Sequence, residues 1–351
     1  MNKDPILTIC IPAYNRPDNL EVLLRSFEKQ NSGEIKILVA DDCSPDSGPI
    51  QKMIAPFLNS MSNLTYIRNE KNLGYSANVI NLYERATTRY VWFFCDDDVP
   101  LDDSVDKVLS ALKKYEPVVA VFNHKQFDPY EKYVEAGVTE VKIYNSVDEF
   151  TDYQDLQRTT FLSILVVEKR DSVDLTELKN NDYTNNVYVQ MTLTLLLLSD
   201  KCRYVLVPDA VLHRNVGYNY GSFFKFYMVD HLRAVNILKT KFNPEKFLWW
   251  SIRHLPISYN LYLSQKLGLY AYRSSANSQT LKDIFKYWGV FSIFVYLIPV
   301  VSFLVPAILL KAVFFVLLAK DHGYEKAKYL YAKNINRAYN DSRKTGFTAY
   351  R

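Results

Sequence analysis

Three adjacent carboxylates, Asp96-Asp97-Asp98, follow directly on the apolar run Tyr90-Val-Trp-Phe-Phe-Cys95. Such a run, flanked by turn signals, reads as a strand buried on both faces. Carboxylates this close repel and raise one another's pKa unless something positive sits among them. A divalent cation holding a diphosphate meets that need, because hard cations take oxygen ligands. A solvated turn whose Asp residues cap the next helix is the plainer alternative. Farther along, Pro208-Asp-Ala-Val-Leu-His213-Arg214 closes another apolar run. There His213 is a candidate further metal ligand and Arg214 a candidate clamp on a diphosphate.

These groups need elements to bring them together. Ile6–Ile11 reads as a first strand closed by Pro12, and Leu20, Leu23, Leu24 and Phe27 then recur at helical spacing. Glu34–Ala40 is a second strand, ending in Asp41-Asp42-Cys43-Ser44-Pro45-Asp46, and Ile50, Met53, Ile54, Phe57 and Leu58 mark a second helix. Leu64–Arg68 is a third strand, followed by Asn69-Glu-Lys-Asn72-Leu73-Gly74 and a helix through Val79, Leu82, Tyr83 and Ala86. After the acidic triplet come a helix through Val105, Val108, Leu109 and Leu112 and a fifth strand, Val118–Phe122. Strand–helix alternation at this spacing predicts an α/β fold with right-handed crossovers and a parallel sheet. Ligand loops then gather at the carboxyl ends of the strands, at residues 12–16, 41–46, 69–75 and 95–100.

Several function classes drop out. The sequence lacks the glycine fingerprints GxGxxG and GxxxxGK[ST], so a nucleotide would be held by side chains and a metal. The four cysteines, Cys10, Cys43, Cys95 and Cys202, show no zinc spacing, and the first three read as buried reduced thiols. The first residues carry only a short apolar run and predict no signal peptide. The net charge of +4 is uneven: residues 320–351 hold eight Lys or Arg against three Asp or Glu. This is no basic patch spread over a fold, so nucleic acid is not an expected partner. A basic tail at an anionic membrane surface is.

Taken together, Leu7-Thr-Ile-Cys-Ile-Pro-Ala-Tyr-Asn-Arg16, Val39-Ala-Asp-Asp-Cys-Ser44, Arg68-Asn-Glu-Lys-Asn-Leu-Gly74 and Phe93-Phe-Cys-Asp-Asp-Asp98 resemble family 2 glycosyltransferases of the GT-A fold, over roughly residues 5–125. The resemblance implies a Rossmann-like, mostly parallel sheet with flanking helices. It implies a nucleobase pocket lined by Pro12, Ala13, Tyr14 and Arg16 with Asn15 beside them, and Asp42 accepting a hydrogen bond from the base. Asn72 and Gly74 would lie along the nucleotide, Asp96 and Asp97 would face the ribose and diphosphate, and Asp98 would ligate Mg²⁺ or Mn²⁺, with Asp96 a further ligand. The register within Asp96–Asp98 stays open.

An inverting enzyme of this family needs a carboxylate to take the proton from the acceptor hydroxyl. The expected position, at the start of the apolar helix Val187–Leu198, reads Val187-Tyr188-Val189-Gln190. Asp182, in the loop before it, becomes the first candidate for the catalytic base, with Asp155 and Asp174 behind it. Residues 124–150 read as an irregular excursion with a hairpin around Val138–Tyr144. Phe161–Val167 and Arg203–Val207 read as further strands.

The C-terminal third is of another kind. Residues 221–287 read as aromatic-rich helices. Gly289–Leu310 carries no charge and is divided by Pro299 and Pro306, which predicts a membrane-associating segment at 288–319. A buried helical hairpin is the alternative. The expected organisation is a catalytic domain at 1–220, with a nucleotide-sugar half at 1–125 and an acceptor half at 126–220. The helical region, the apolar segment and a basic amphipathic tail at 320–351 follow. The expected activity is hexosyl or deoxyhexosyl transfer from a nucleoside diphosphate sugar to a lipid-linked saccharide, at the cytoplasmic face of the plasma membrane, in O-antigen or capsule assembly. A catalytically inactive membrane scaffold is the alternative.

Overall fold

A computed structural model describes residues 4–30, 32–45, 47–128, 132–146, 149, 153–179 and 186–214. All lie in one of two compact units, Met1–Gly217 together with Ile237–Phe242. The regions expected at 221–287, 288–319 and 320–351 lie outside the described residues, as does Asp182. Among the described residues no helix is long and apolar enough to cross a membrane.

The strands are β1 (Leu7–Ala13), β2 (Ile35–Asp41), β3 (Leu64–Arg68), β4 (Tyr90–Phe93), β5 (Val99–Pro100), β6 (Val119–Asp128), β7 (Lys132–Ala136), β8 (Lys142–Tyr144), β9 (Leu165–Glu168) and β10 (Tyr204–Arg214). They form one sheet in the order β3-β2-β1-β4-β9-β6-β10-β5, with β7 beside β6 and β8 beside β10. β1, β2, β3 and β4 are mutually parallel, and β6 and β10 are parallel to each other. The result is a mostly parallel α/β sheet of the GT-A-like kind. The strand order reverses between β1 and β4, because β2 and β3 extend to one side and β4 starts the other. At such a switch point the flanking loops part and leave a crevice beyond the carboxyl ends.

Local chemistry explains the helices. α1 (Pro17–Glu28) has Pro at its first position, where a missing N–H costs nothing, and Asp18 in its first turn. Its face of Leu20, Leu23, Leu24 and Phe27 is fully buried. α2 (Ser47–Ser60) follows β2, and α3 (Tyr75–Arg85) starts after Gly74, whose φ of 84° and ψ of 158° suit only glycine. α4 (Ser104–Tyr115) carries Asp106 early and Lys113 and Lys114 late, matching its dipole. Beneath these helices Phe27, Trp92 and Phe94 pack edge to face, with ring centroids 5.2–5.9 Å apart.

The other side of the sheet departs from the expected alternation. β9 runs antiparallel between β4 and β6, pairing Trp92 with Val166 and Val121 with Leu165. The expected hairpin around Val138–Tyr144 is absent as such. β6 extends to Asp128 and turns back into β7, while Lys142–Tyr144 pairs antiparallel with β10. Gly137, at φ 146°, permits that path, because a Cβ there would overlap the Asn123 amide. β10 continues past Val207 to Arg214 with register shifts on both sides of Ala210. Pro208, which has no N–H to give to a ladder, sits in the first of these irregularities.

Short helices α5 (Tyr153–Gln157) and α6 (Thr176–Lys179) precede α7 (Val189–Asp200), an apolar helix buried on nearly every side.

Candidate functional site

The crevice between β1 and β4 is lined by loop 12–16 on one side and residues 95–98 on the other. β4 pairs with β1 only as far as Cys10 opposite Phe93. Beyond that point Pro12 offers no N–H, and the two chains diverge. Across the gap Arg16 Nη1 donates to Asp96 Oδ1 at 2.9 Å and lies 3.7 Å from Asp97 Oδ2. Burial raises the Asp96 carboxyl to about 7, even though Arg16 pulls the other way, and Asp97 adds to the rise. Asp97 is also pushed up by burial, opposed by Arg16 and then Arg214. Burial, Asp98 and Asp97 push the Cys95 thiol up. Acidic groups are thus held in a place where further positive charge would be welcome.

Cys95, Asp97 and Asp98 offer ligand atoms that all lie within 4.8 Å of one another. Two carboxylates and a thiol form a donor set that fits a divalent cation. This set leaves out Asp96, which Arg16 engages, and His213. The His213 backbone pairs with Val99 across β10 and β5, in the same corner of the sheet. Burial and Lys125 hold its imidazole below the usual range, against Asp102. Arg214 lays its guanidinium over the Phe161 ring, 5.0 Å from the centroid, and its charge reaches Asp97.

Asp98 is buried, and its Oδ2 accepts from the Ser163 hydroxyl at 2.6 Å. The same Ser163 oxygen accepts the Cys95 N–H at 2.9 Å. Ser163 belongs to none of the sequence motifs, and Cys95 lies in one but is expected there only as a buried thiol. The only sequence signal for Ser163 is one hydroxyl inside the apolar run Phe161–Val167.

The neighbouring loops are tied to one another. Asn15 and Cys43 both take left-handed backbone, with φ of 53° and 57°. Such conformations are held only where surroundings impose them. Here Ser44 Oγ accepts the Asn15 N–H at 2.9 Å and donates to Asp41, which is fully buried and also receives the Tyr66 hydroxyl. Asp42 accepts the Leu73 and Gly74 N–H groups, both at 2.8 Å, and the Asn69 amide at 2.9 Å. Its carboxylate therefore organises the loop before α3. Asn72 adds an Asx turn by accepting the Gly74 N–H at 2.9 Å. Pro12 and Ala13 end β1, and the Ala13 carbonyl accepts the Asp42 N–H at 2.9 Å. Tyr14 is half-buried and Asn15 exposed in the loop that follows. All of these residues gather at the carboxyl end of the sheet.

The candidates for a proton-accepting carboxylate are placed elsewhere. Asp155 is buried under the Tyr144 hydroxyl at 2.6 Å, Lys142 at 3.2 Å and Arg158 at 3.6 Å, a structural ion cluster. Asp174 lies beyond the end of β9. Because β9 is antiparallel, with Glu168 opposite Tyr90, that end is at the edge of the sheet opposite the acidic triplet. Asp174 accepts the Thr176 N–H in an Asx turn that leads into α6. At the start of α7, Gln190 donates to the Thr160 carbonyl at 2.6 Å and meets the Tyr75 hydroxyl at 3.4 Å. The Asn186 carbonyl accepts the Ser76 hydroxyl at the start of α3.

Residues 8–162 match the family model described as "Glycosyl transferase family 2". This stretch, a little under half of the chain, is similar to that family. The abequosyltransferase RfbV of Salmonella typhimurium is 34% identical over 103 residues, 28% of this chain and 30% of that protein. The GalNAc(5)-diNAcBac-PP-undecaprenol beta-1,3-glucosyltransferase of Campylobacter jejuni is 26% identical over 106 residues, 30% of this chain and 34% of that one. The matched stretches thus span about a third of these relatives' own length. Among solved structures, S. aureus TarS 1-349 in complex with UDP-GlcNAc superposes with a TM-score of 0.57 at 16% identity, over 99% of this chain and 94% of that one. At that identity the likeness speaks for the fold.

Proposed function

We propose that this chain is an inverting, metal-dependent glycosyltransferase that uses a nucleoside diphosphate sugar. The carrying observation is the convergence of Arg16, Asp96, Asp97 and Asp98 on the crevice where the strand order reverses. Loops 12–16 and 41–44 are braced to receive a nucleobase, and residues 72–74 are shaped by Asp42 to border the nucleotide. Asp97 and Asp98 would hold Mg²⁺ or Mn²⁺, with the Cys95 thiol in reach as a further donor. When bound, that ion supplies charge neutralisation for the departing diphosphate. Arg16 supplies positive charge beside Asp96, and Arg214 supplies it on the Asp97 side, where it can meet phosphate oxygens.

Inversion needs a base on the acceptor face. We assign it to Asp182, since Asp155 and Asp174 are engaged elsewhere. A lipid-linked saccharide acceptor is supported by the undecaprenol-linked substrate that one relative's name carries. It also fits the apolar stretch at 288–319 and the basic tail, which would hold the enzyme at the cytoplasmic face of the plasma membrane in surface-glycan assembly.

The test is release of nucleoside diphosphate from a panel of nucleotide sugars, with and without EDTA. Release that is metal-dependent and lost in Asp98→Ala is expected. No release with any donor sinks the proposal and favours the second reading, an inactive membrane scaffold. That reading is motivated by Gln190, which occupies the first turn of α7 with its amide committed to Thr160.

A further inference from the structure

We infer that Ser163 is a positioning residue for the cation end of this site, fixing the Asp98 carboxylate in the orientation that meets a metal. The inference rests on the proposed metal and diphosphate role of residues 95–98. Ser163 has one hydroxyl proton. The Cys95 N–H points at its oxygen from 2.9 Å, so the oxygen accepts there and its own proton goes to Asp98 Oδ2 at 2.6 Å. The direction of both bonds is therefore set by chemistry. A hydroxyl bound to a carboxylate is a charge-assisted, short bond, and it holds the plane of the carboxylate as well as its place.

Ser163 is itself held in the core. It is fully buried, and its carbonyl accepts the Trp92 Nε1–H at 2.9 Å. Trp92 packs edge to face against both Phe27 and Phe94. A continuous path thus runs from the aromatic core of β4, through the Ser163 backbone, to its hydroxyl, and on to both ends of the turn at 95–98. The Asp98 N–H closes the turn on the Cys95 carbonyl at 3.4 Å, a long bond that could not fix the geometry alone. Ser163 reaches this position because β9 enters the sheet antiparallel, which delivers its leading turn to the carboxyl end of β4. Partners behind a ligating carboxylate tune affinity by orienting it.

The experiment is Mn²⁺ binding to the purified full chain, followed by electron paramagnetic resonance with MnCl₂ as the only added ligand. Thermal melts of each variant run alongside. Ser163→Ala and Ser163→Cys should weaken Mn²⁺ binding by about 10- to 100-fold with melts close to wild type. Ser163→Thr, which keeps the hydroxyl, should bind within about threefold of wild type by the same reasoning. Asp98→Ala should bind no Mn²⁺. If both the Ala and the Cys variant bind as wild type while Asp98→Ala does not, Ser163 has no such role and the metal site stands. If Asp98→Ala also binds as wild type, the metal site and the role of Ser163 fail together.

Discussion

β1, β2, β3 and β4 run parallel, each joined by a single helix to the next in the chain, whereas β6 and β10 reach the same sheet only with β9 wedged antiparallel beside β4. In the first region the working groups sit on loops, and the loops are braced by polar side chains: Ser44 between loops 12–16 and 41–44, Asp42 under residues 72–74. In the second the bracing comes from the core, through Trp92 and Ser163 to Asp98. The first arrangement fixes the loops by tying their backbone amides to polar side chains. The second holds charge in place with buried side chains. In the proposed function, recognising a nucleotide and steadying its phosphates would fall to these two kinds of scaffolding.

The comparison can be pressed hardest at its meeting point. Asp98→Ala should lower turnover on the order of 10³-fold while the melting temperature stays near wild type. A steady-state assay beside a thermal melt checks both. Asp155→Asn should do the reverse. It leaves Lys142 and Arg158 around an uncharged buried group, and breaking such a cluster costs about 3–5 kcal/mol of stability. Turnover per folded molecule should persist, and its loss would return Asp155 to candidacy as the base. Gly74→Ala, at a backbone angle that only glycine takes easily, should cost about 1–3 kcal/mol and weaken nucleotide binding by calorimetry, with metal binding kept.

The smallest effect concerns pH. His124 is buried edge-on against Phe161 at 5.0 Å, and among the described residues neither ring nitrogen has a hydrogen-bond partner. Burial, then Arg214 and Arg158, pull its pKa from 6.5 down to about 4. The fold therefore favours the neutral ring while the unfolded chain takes up a proton near 6.5. Stability from this group is fully present above pH 6.5 and lost as pH falls toward 4. His124→Phe should flatten that part of the melting profile by about 1 kcal/mol, the shift discounted for solvent at the ring edge.

How much of this was legible in the sequence divides along the same line. The first region reads almost residue by residue, because βα units are local: the apolar runs, the helical spacing of Leu20, Leu23, Leu24 and Phe27, and Pro17 and Gly74 mark each boundary. The sequence alone therefore places these loops together. Periodicity says nothing, however, about which neighbour a four-residue strand will choose or which way it will run. β9 was visible as an apolar run, but its place between β4 and β6 was not, so Ser163 was hidden with it. For the same reason Asp155 and Asp174 stood as equals in sequence, though one proves to be core and the other lies at the far edge of the sheet. The split of Asp96 from Asp97 and Asp98 depends on Arg16, eighty residues away in the chain.

The antiparallel entry of β9 also orders events in time. A chain emerging from the ribosome presents Tyr90-Val-Trp-Phe with β1 on one side and nothing on the other, and bare apolar strand edges are where chains stick to one another. That edge is closed only when residues 165–168 have been made, by the same segment that brings Ser163 to Asp98. Completion of the sheet and completion of the acidic corner are then one step, so a molecule that has not sealed its weakest edge has not finished its charge-bearing site either.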